Sequence, residues 1–242
     1  MDRCILITGG TKGIGRAVAG CLAASGYNLI LTFVSDAERA AIVKEELECC
    51  YPVTVLTVQA DVSQSSTVET LACFLEVQAC NLEAVVFNAG ITSRKPFGEI
   101  REDDWEQVFY ANVHFPVFFL QRIQNRLKDG GSVVFTGSLM GIQPHSVSLA
   151  YGVTKAAVHA LVKNLVKFFA FRKIRVNAVA PGFVDTEWQK SKPAEIRKNI
   201  ERKVALERFC EPGELAGVYK MLIENSYLNG EIIVVDGGYS YK

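Results

Sequence analysis

The sequence has no excess of charge of either sign, because 26 lysine and arginine residues balance 26 aspartate and glutamate residues. Nucleic acids and anionic membrane surfaces attract strongly basic chains, so this balance argues against both as partners. The sequence also lacks an apolar run of ~18 or more residues, which a membrane span requires, and a basic-then-apolar leader at its start. We therefore expect a cytoplasmic protein without nucleic acid or membrane partners.

Cysteine is present, but not in a pattern that builds disulfides or a metal site. The seven cysteines are odd in number, scattered, and mostly set in apolar or helical segments. There is no CxxC motif, and the three histidines lie far along the chain from any cysteine pair. We predict no metal site and interpret the cysteines as small buried residues in a reducing compartment.

Linkers and repeats are missing as well. No segment rich in Gly, Ser or Pro and no repeat of fixed period divides the 242 residues. Because α/β sheets commonly reach this length as one unit, we predict a single domain over residues 1–242.

The sequence does contain a regular alternation of strand-like and helix-like segments. Helical periodicity over residues 37–49 and 67–80 is typical of the segments between the strand-like runs. The runs are nearly continuous in apolar residues, as in parallel strands covered on both faces: RCILIT, NLILTF, VTVLTV, EAVVFN, SVVFTG, IRVNAVA and EIIVVD. The alternation predicts an α/β Rossmann-type fold, with a doubly wound parallel sheet of about seven strands and helices on both faces.

One polar, charged segment interrupts this alternation at about residues 183–204. A segment of this kind is either a lid over a substrate site or a plain surface insertion. Composition does not separate the two, and we carry the lid forward as the hypothesis.

A glycine-rich turn follows the first strand-like run and precedes a helical segment. The stretch TGGTKGIG places Gly9, Gly13 and Gly15 where the backbone can bend tightly and approach a pyrophosphate. The free N–H groups and the dipole at the start of the helix attract phosphate. Turns need glycine in any case, so the position between strand and helix is what favours a nucleotide site.

Other candidate residues follow the later strands. The carboxyl ends of parallel strands share one edge of a sheet, where open α/β sheets bind ligands. We expect that edge to carry Asp61 and Val62, Asn88, Ala89 and Gly90, Ser138, and Pro181 and Gly182.

Tyr151 and Lys155 lie four residues apart at the start of an apolar helical segment. A helix places such residues on one face, and a nearby ammonium favours the phenolate, so we expect Lys155 to lower the pKa of Tyr151. YxxxK alone does not exclude a chance pair on a solvated helix face.

In order and spacing, these motifs resemble the classical short-chain dehydrogenase/reductase family over nearly the whole chain. Within the family, the short length, the end of strand two without an acidic residue, RFCEPGELAG and VDGGY are most like the bacterial 3-oxoacyl-(acyl-carrier-protein) reductases. The resemblance rests on TGxxxGxG at 8–15, Asp61-Val62, NAG at 88–90, Asn112, a serine thirteen residues before YxxxK, RVNAVAPGFVDT, and NGEIIVVDGG.

The resemblance implies an NAD(P)-dependent oxidoreductase with four catalytic residues. Tyr151 is implied as the general acid that protonates a carbonyl oxygen, and Lys155 as the residue that lowers its pKa and binds the nicotinamide ribose. Ser138 is implied to hold the substrate oxygen, and Asn112 to position a water in a proton relay. Gln143 and His145 are expected to border the substrate pocket beside Ser138 and Tyr151.

The same resemblance assigns the cofactor contacts. It implies that the pyrophosphate, the adenosine and the nicotinamide are held by Gly9, Thr11, Lys12, Gly13, Ile14, Gly15, Asp61, Val62, Asn88, Ala89, Gly90, Tyr151, Lys155, Pro181, Gly182, Val184 and Thr186. For Asn88 and Pro181, a purely structural role at the strand ends remains open.

The end of the second strand favours NADPH over NADH. The position where an acidic residue binds the adenosine 2′-hydroxyl is Phe33 or Val34, and Asp36 comes late enough to be the N-cap of the next helix. Lys12 and Ser35 are placed to contact a 2′-phosphate instead.

The substrate is harder to predict. The subgroup resemblance implies a 3-oxoacyl thioester, with an acyl carrier protein as a candidate partner, and Arg172 matches one docking position. At the other docking position the family has a basic residue, but this sequence has Asp129, with Arg126 and Lys128 close by. The alternatives are a steroid, a sugar or another secondary alcohol as substrate, or a non-catalytic binding or regulatory protein with the same fold.

Two helical segments carry more large apolar residues than one sheet-facing stripe requires. In the resembling family the corresponding helices form a dimer interface, so we expect a homotetramer of two-fold symmetry. Burial within the monomer is the alternative for these residues, which are Phe115, Phe118, Phe119, Phe168, Phe169 and Phe171.

Overall fold

The computed structural model describes residues 3–144 and 148–242. Each of the seven predicted runs forms a strand. The strands are β1 (Cys4–Ile7), β2 (Asn28–Phe33), β3 (Val55–Gln59), β4 (Leu82–Phe87), β5 (Leu127–Thr136), β6 (Arg175–Pro181) and β7 (Ile232–Val235).

Helices connect the strands, as the alternation predicts. They are α1 (Gly13–Ala24), α2 (Ala37–Cys50), α3 (Thr67–Val77), α4 (Glu102–Phe109), α5 (Phe115–Ile123), α6 (Leu149–Phe169), α7 (Glu187–Lys190), α8 (Ala194–Lys203) and α9 (Pro212–Glu224). Helix α3 ends before the predicted residue 80 because Ala79 adopts a left-handed conformation, with φ +48°, that turns the chain towards β4.

The strands form one sheet in the order β3-β2-β1-β4-β5-β6-β7, and every neighbouring pair is parallel. The chain builds outward from β1 to β3, then crosses back to place β4 on the other side of β1. This reversal opens a crevice at the carboxyl ends of β1 and β4, where doubly wound sheets bind ligands. The predicted fold class is confirmed.

Helices cover both faces because successive strand residues point to opposite sides of the sheet. Leu6 packs on the face covered by α3, α5 and α6, whereas Ile5 and Ile7 pack on the face covered by α1, α2 and α9. Both clusters are buried, so the edge at the strand ends is held by a rigid apolar core. No helix in the described part of the chain is both long and apolar enough to cross a membrane.

The predicted lid segment leaves the end of β6 and returns beside its own starting point. Val184 forms a parallel bridge with Cys210, and Cys210 N donates to Phe183 O at 2.9 Å. Between these anchors the chain forms α7 and α8 on the carboxyl-end side of the sheet, where α7 residues line the cleft described below.

Candidate functional site

The glycine turn brings the end of β1 and the start of α1 into direct contact. Gly9 and Gly13 have φ of +64° and +51°, which side chains rarely adopt. A Cβ on Gly15 would lie 2.2 Å from Gly9 O and 2.7 Å from the Asn88 side-chain nitrogen. The Lys12 side chain does not cap α1. The first helical N–H groups therefore face the crevice, in the arrangement that binds phosphate.

A hydrogen-bond network fixes the crevice wall. The Thr8 hydroxyl oxygen accepts from Asn88 N and Ala89 N, both at 3.0 Å. The Asn88 side-chain nitrogen donates to Thr8 O and Gly9 O, both at 3.1 Å. Asn88 thus has the structural role left open above, while it also lines the cleft. Thr8 begins the TGxxxGxG motif, but the sequence analysis assigned it no role.

The adenosine end of the crevice carries more charge than the sequence indicated. Asp36 is the N-cap of α2, as predicted, and accepts from Arg39 N at 3.1 Å. Lys12 Nζ lies 2.9 Å from an Asp36 carboxylate oxygen, and its hydrogen bond lowers the Asp36 pKa. Arg39 Nε donates to Thr11 O at 3.2 Å. A cation in the first helical turn opposes the helix dipole, and that signal could have identified Arg39.

A smaller cavity of about 190 Å³ adjoins this end and is lined by Thr11, Lys12 and Ser35 among others. Asp36 also borders it and pairs with Lys12, whereas the Arg39 guanidinium lies 3.9 Å from a Glu187 carboxylate oxygen. The two cations near this end are thus each matched by a carboxylate in the chain on its own.

The main cleft has a volume of about 410 Å³ and contains most of the predicted site. Gly15 packs beneath the turn instead of lining the cleft. The predicted residues that line it are Gly9, Lys12, Gly13, Ile14, Asp61, Val62, Asn88, Ala89, Gly90, Ser138, Tyr151, Lys155, Pro181, Gly182, Val184 and Thr186.

Asn112 lies one step behind the cleft, in a π-helical turn at Tyr110–His114 between α4 and α5. Its side-chain oxygen accepts from Ile91 N at 2.9 Å, and its nitrogen donates to Ile91 O and Thr154 Oγ1, both at 3.0 Å. A Cβ on Gly90 would lie 2.9 Å from that oxygen. Asn112 therefore ties the loop after β4 to α6, next to Lys155.

The reacting centre combines Ser138, Tyr151 and Lys155. Ser138 and Tyr151 are hydrogen-bonded through their side chains, and the Lys155 ammonium lies 5.4 Å from the centroid of the Tyr151 ring. Lys155 Nζ donates to Thr136 O at 2.6 Å. Helix α6 therefore places both residues on one face, as their spacing of four predicted, and that face lies over the end of β5.

The pKa values differ from the sequence-based expectation. Burial raises the pKa of the Tyr151 hydroxyl, and the hydrogen bond with Ser138 only partly offsets this rise. Burial lowers the pKa of Lys155 to about 8. The predicted lowering of the Tyr151 pKa is wrong for the chain on its own, because desolvation outweighs a charge that is directed at Thr136 O.

Beneath Ser138 lies a histidine that sequence analysis left without a role. His159 Nε2 accepts from Ser138 N at 3.4 Å, and burial lowers its pKa to about 4. A Cβ on Gly137 would lie 2.3 Å from that nitrogen, so the glycine before Ser138 makes room for the imidazole. No sequence motif identifies His159, because a histidine within an apolar helix is usually interpreted as a core residue.

The predicted lid segment contributes an aromatic wall to the cleft. The Trp188 ring meets the Tyr151 ring edge to face at 5.9 Å, and Trp188 is 41% exposed. Gln189 also lines the cleft, and its side-chain oxygen is buried without a hydrogen-bond partner among the described residues. Neither residue was predicted, because irregular segments carry no periodic signal.

Two predicted substrate residues are not brought to this cleft. Gln143 donates its backbone N–H to Leu139 O at 2.8 Å and is not among the described residues that line the cavity. His145 lies outside the described residues. The side chains bordering the substrate end are instead Ile91, Trp188 and Gln189.

The residues present fit a nicotinamide dinucleotide. The glycines leave room for a pyrophosphate at the start of α1, the smaller cavity adjoins the adenosine end, and the cleft runs from there to Tyr151. Gly182 lines the cleft and packs against the segment after β7, since a Cβ there would lie 2.8 Å from Asp236 Cα.

Comparisons with known proteins agree with this geometry. The family described as Enoyl-(Acyl carrier protein) reductase matches residues 9–240. The chain is 33% identical to 3-oxoacyl-(acyl-carrier-protein) reductase of Aquifex aeolicus over 237 residues, covering 96% of this chain and 95% of that protein. A short-chain dehydrogenase/reductase from Serratia marcescens superposes with a TM-score of 0.92 at 27% identity, covering 99% of this chain and 98% of the other.

A further solved structure is a short-chain dehydrogenase from Burkholderia cenocepacia in complex with NADP. It superposes with a TM-score of 0.90 at 28% identity and covers 98% of this chain and 97% of the other.

Proposed function

Because the chain belongs to the short-chain dehydrogenase/reductase family, we propose that it reduces the ketone of a 3-oxoacyl thioester to the 3-hydroxyacyl product, with NADPH. The observation that carries this proposal is the grouping of Ser138, Tyr151 and Lys155 in one cleft that continues to the glycine turn. Identity to the Aquifex aeolicus reductase supports the thioester substrate over a steroid or a sugar.

The chain's own residues orient the substrate and supply the proton. Ser138 holds the carbonyl oxygen, and the Tyr151 hydroxyl donates its proton to that oxygen. Lys155 keeps a positive charge beside the phenol as negative charge develops there. The nicotinamide, when bound, supplies the hydride. Asn112, held between Ile91 and Thr154, positions the groups through which Lys155 exchanges protons with solvent.

The pKa of Tyr151 bears on its starting form. A phenol whose pKa lies above its ordinary 10 is protonated at neutral pH, which is the form that donates a proton to a carbonyl oxygen. As the carbonyl oxygen gains negative charge, the Lys155 ammonium offsets the rise in pKa that burial causes. The Lys155 pKa of about 8 leaves its ammonium protonated at neutral pH, as the electrostatic role requires.

The end of β2 supports the choice of NADPH. No carboxylate occupies the position that binds a 2′-hydroxyl, where Val34 stands and lines the cleft, and Lys12 and Ser35 line the adjoining cavity. The NADP-bound Burkholderia cenocepacia structure supports the same assignment. We place the enzyme in the cytoplasm, since its seven cysteines are unpaired thiols.

Docking of an acyl carrier protein at Arg172 receives little support from the contacts. Arg172 Nε donates to Asp129 at 2.7 Å, and its other nitrogens donate to Gln124 O and Leu127 O. The guanidinium is therefore engaged within the chain. We propose a thioester substrate whose carrier is either coenzyme A or a carrier protein held elsewhere.

Assembly into a homotetramer remains a proposal, supported by half of the predicted apolar residues. Phe118, Phe168 and Phe171 are 49%, 72% and 80% exposed on α5 and at the end of α6. The other three predicted residues, Phe115, Phe119 and Phe169, are buried in the monomer. Exposed aromatic rings of this size are compatible with a surface between subunits, and a monomeric mass in gel filtration would remove this proposal.

Turnover of 3-oxobutanoyl-CoA with NADPH and with NADH tests the function, alongside a steroid ketone and a sugar. We expect the thioester and NADPH to be preferred, and Tyr151→Phe to lower kcat by about 10²- to 10⁴-fold. Tyr227→Phe is the matched control, because that side chain is 96% exposed. Absence of activity in the parent, or equal activity in Tyr151→Phe, rejects the enzyme in favour of a binding protein.

A further inference from the structure

A buried tyrosine outside the reacting centre has its hydroxyl directed at the end of β5. Tyr219 on α9 is 0% exposed, and its ring packs in the apolar cluster on the face covered by α1, α2 and α9. A phenylalanine would fill the same space, so packing alone does not require the hydroxyl. A buried hydroxyl costs free energy unless it is hydrogen-bonded. Tyr219 meets this requirement at Thr136, whose Oγ1 lies 2.7 Å from the phenol oxygen.

Thr136 connects this hydroxyl to the reacting centre. It is the last residue of β5 and lines the cleft, two residues before Ser138. Its backbone oxygen accepts from Lys155 Nζ on α6 at 2.6 Å. Helices α6 and α9 cover opposite faces of the sheet. Thr136 is therefore bound from both faces, by Tyr219 through its side chain and by Lys155 through its backbone oxygen.

The neighbouring groups set the direction of these hydrogen bonds. The Asn88 side-chain nitrogen donates to Thr8 O and Gly9 O, which leaves the Asn88 oxygen 3.4 Å from Thr136 Oγ1. That oxygen can only accept, so the threonine hydroxyl donates to it. Burial raises the pKa of Tyr219, so the phenol keeps its proton. The phenol is thus the donor to Thr136 Oγ1, and the threonine side chain is held between two partners.

We propose that Tyr219 is a positioning residue, which holds Thr136 so that the Thr136 backbone oxygen keeps the Lys155 ammonium beside Tyr151. The proposal rests on the proposed function in taking Lys155 as the charge that supports proton transfer. Pairing of β5 with β4 ends at Phe135, so the side-chain bonds of Thr136 restrain backbone that this neighbouring strand no longer holds. Small displacements of a group that supports proton transfer have large effects on rate.

The titratable groups around Lys155 stay neutral over the pH range in which it titrates. Tyr151 and His159 lie on its own helix, and Tyr219 lies across the sheet. Burial raises the pKa of both tyrosines and lowers that of His159 to about 4. The described contacts of Lys155 include no carboxylate. Its pKa of about 8 therefore depends on the bond to Thr136 O, because a hydrogen bond to the charged form favours that form.

The pH dependence of kcat separates positioning from packing. Rates are measured from about pH 6 to about pH 10 with saturating 3-oxobutanoyl-CoA and NADPH, for the parent and for Tyr219→Phe. We expect Tyr219→Phe to lower kcat by roughly three- to tenfold at pH 7, with KM for the thioester within about twofold of the parent. The alkaline fall of kcat should move to lower pH by about half a unit, since a less restrained Thr136 O holds the ammonium less well.

Tyr27→Phe is the matched control. Tyr27 is 6% exposed and belongs to the same apolar cluster, but its hydroxyl lies 3.4 Å from Glu224 instead of Thr136. The control should have the pH profile of the parent. An unchanged profile in Tyr219→Phe, with or without a loss of stability, assigns the hydroxyl to packing alone and overturns the proposal.

Thr136→Val tests the same hydrogen bond from its other end, and it serves alone if Tyr219→Phe does not fold. It keeps the branched shape of the side chain and removes the hydroxyl, so it should shift the profile as Tyr219→Phe does. The two shifts should not add in the double variant, because both residues act through one hydrogen bond. Additive shifts, or a parental profile in Thr136→Val, would contradict the proposal.

A second measurement needs no turnover. Urea unfolding of Lys155→Met against the parent, over the same pH range, gives the pH at which Lys155 titrates in the folded chain. In the Tyr219→Phe background this pH should be lower by about half a unit. If it moves in a chain that reduces no 3-oxoacyl thioester, the positioning of Lys155 stands and the proposed function falls. Reduction of the thioester with neither the profile nor this pH moved has the opposite meaning.

Discussion

The two sides of the cleft are built by different means. The nucleotide side consists of backbone turns in direct contact, which are closed by partly buried hydrogen bonds such as those from Asn88 to Thr8 and Gly9. The lid side carries its polar groups on the four residues of α7 and the ten of α8, and leaves one buried acceptor unpaired. At Gly15, the nucleotide side has no room for an added methyl group. On the lid side, side chains can be substituted while the bridge between Val184 and Cys210 keeps the ends of the segment in place.

The nucleotide side can be broken by a single methyl group. Gly15→Ala places a Cβ 2.2 Å from Gly9 O, against backbone that cannot move aside, so we expect a loss of about 3 kcal/mol or more in unfolding free energy. Nucleotide affinity should fall with it. Urea unfolding and NADPH fluorescence titration measure the two effects.

Gly20→Ala in the same helix is the control for this prediction. Its Cβ would meet only the flexible end of Arg16, at 3.1 Å, so the change should be neutral or stabilise by up to about 1 kcal/mol. Equal losses at both positions would contradict the difference between the two glycines.

This contrast also explains how far the sequence could be interpreted. Backbone turns require particular residues, so the glycines, Asn88 and the NAG stretch are visible as motifs, and apolar continuity identifies every strand. Trp188 and Arg39 act through side chains on irregular or exposed segments, where many residue types satisfy the backbone. The Tyr151 pKa depends on desolvation by the whole fold, which a spacing of four residues does not encode.

Lys155 lies where the nucleotide side and the lid side of the cleft meet. Burial of its positive charge there lowers the unfolding free energy of the chain. Lys155→Met should raise the unfolding free energy at pH 7 by roughly 1 to 3 kcal/mol, since it removes a buried ammonium together with its bond to Thr136 O. Reductase activity should fall by about 100-fold or more. Chemical denaturation and initial rates measure both effects.

The gain in unfolding free energy expected for Lys155→Met should shrink as pH rises. The folded-state pKa of about 8 lies below the ordinary 10.5, so the penalty is full below pH 8. As pH rises from 8 to 10.5, the folded chain loses this proton before the unfolded chain does, and the parent gains stability relative to Lys155→Met. A stability difference that stays constant over this window would contradict the assignment.

His159 should make the parent sensitive to acid. Its folded-state pKa of about 4 lies below the ordinary 6.5, so the unfolded chain takes up a proton first as pH falls through this window. We expect the parent to lose roughly 2 kcal/mol of unfolding free energy between pH 6.5 and 4 that His159→Gln does not lose. His114→Gln should retain the loss, and denaturant curves at several pH values show whether it does.

The smallest expected effect lies in the lid. Gln189 holds a buried oxygen without a partner in the described structure, so Gln189→Leu should stabilise the chain by about 1 kcal/mol. Gln189→Glu should destabilise it, because it buries a charge at the same place. Thermal unfolding of both variants without cofactor or substrate checks the pair, and a destabilised Leu variant would show that the oxygen is satisfied in solution.

Because of the π-helical turn at Tyr110–His114, the geometry of the cleft depends on the number of residues between α4 and α5 as well as on which residues they are. A π-helical turn holds one residue more than the α-helical turn it replaces. Removal of one residue there would restore a regular helix and rotate α4 by ~100° relative to α5. Asn112 would then leave Ile91 and Thr154. We therefore expect a relative that keeps every site residue, but has one residue fewer between α4 and α5, to lack the geometry of this site.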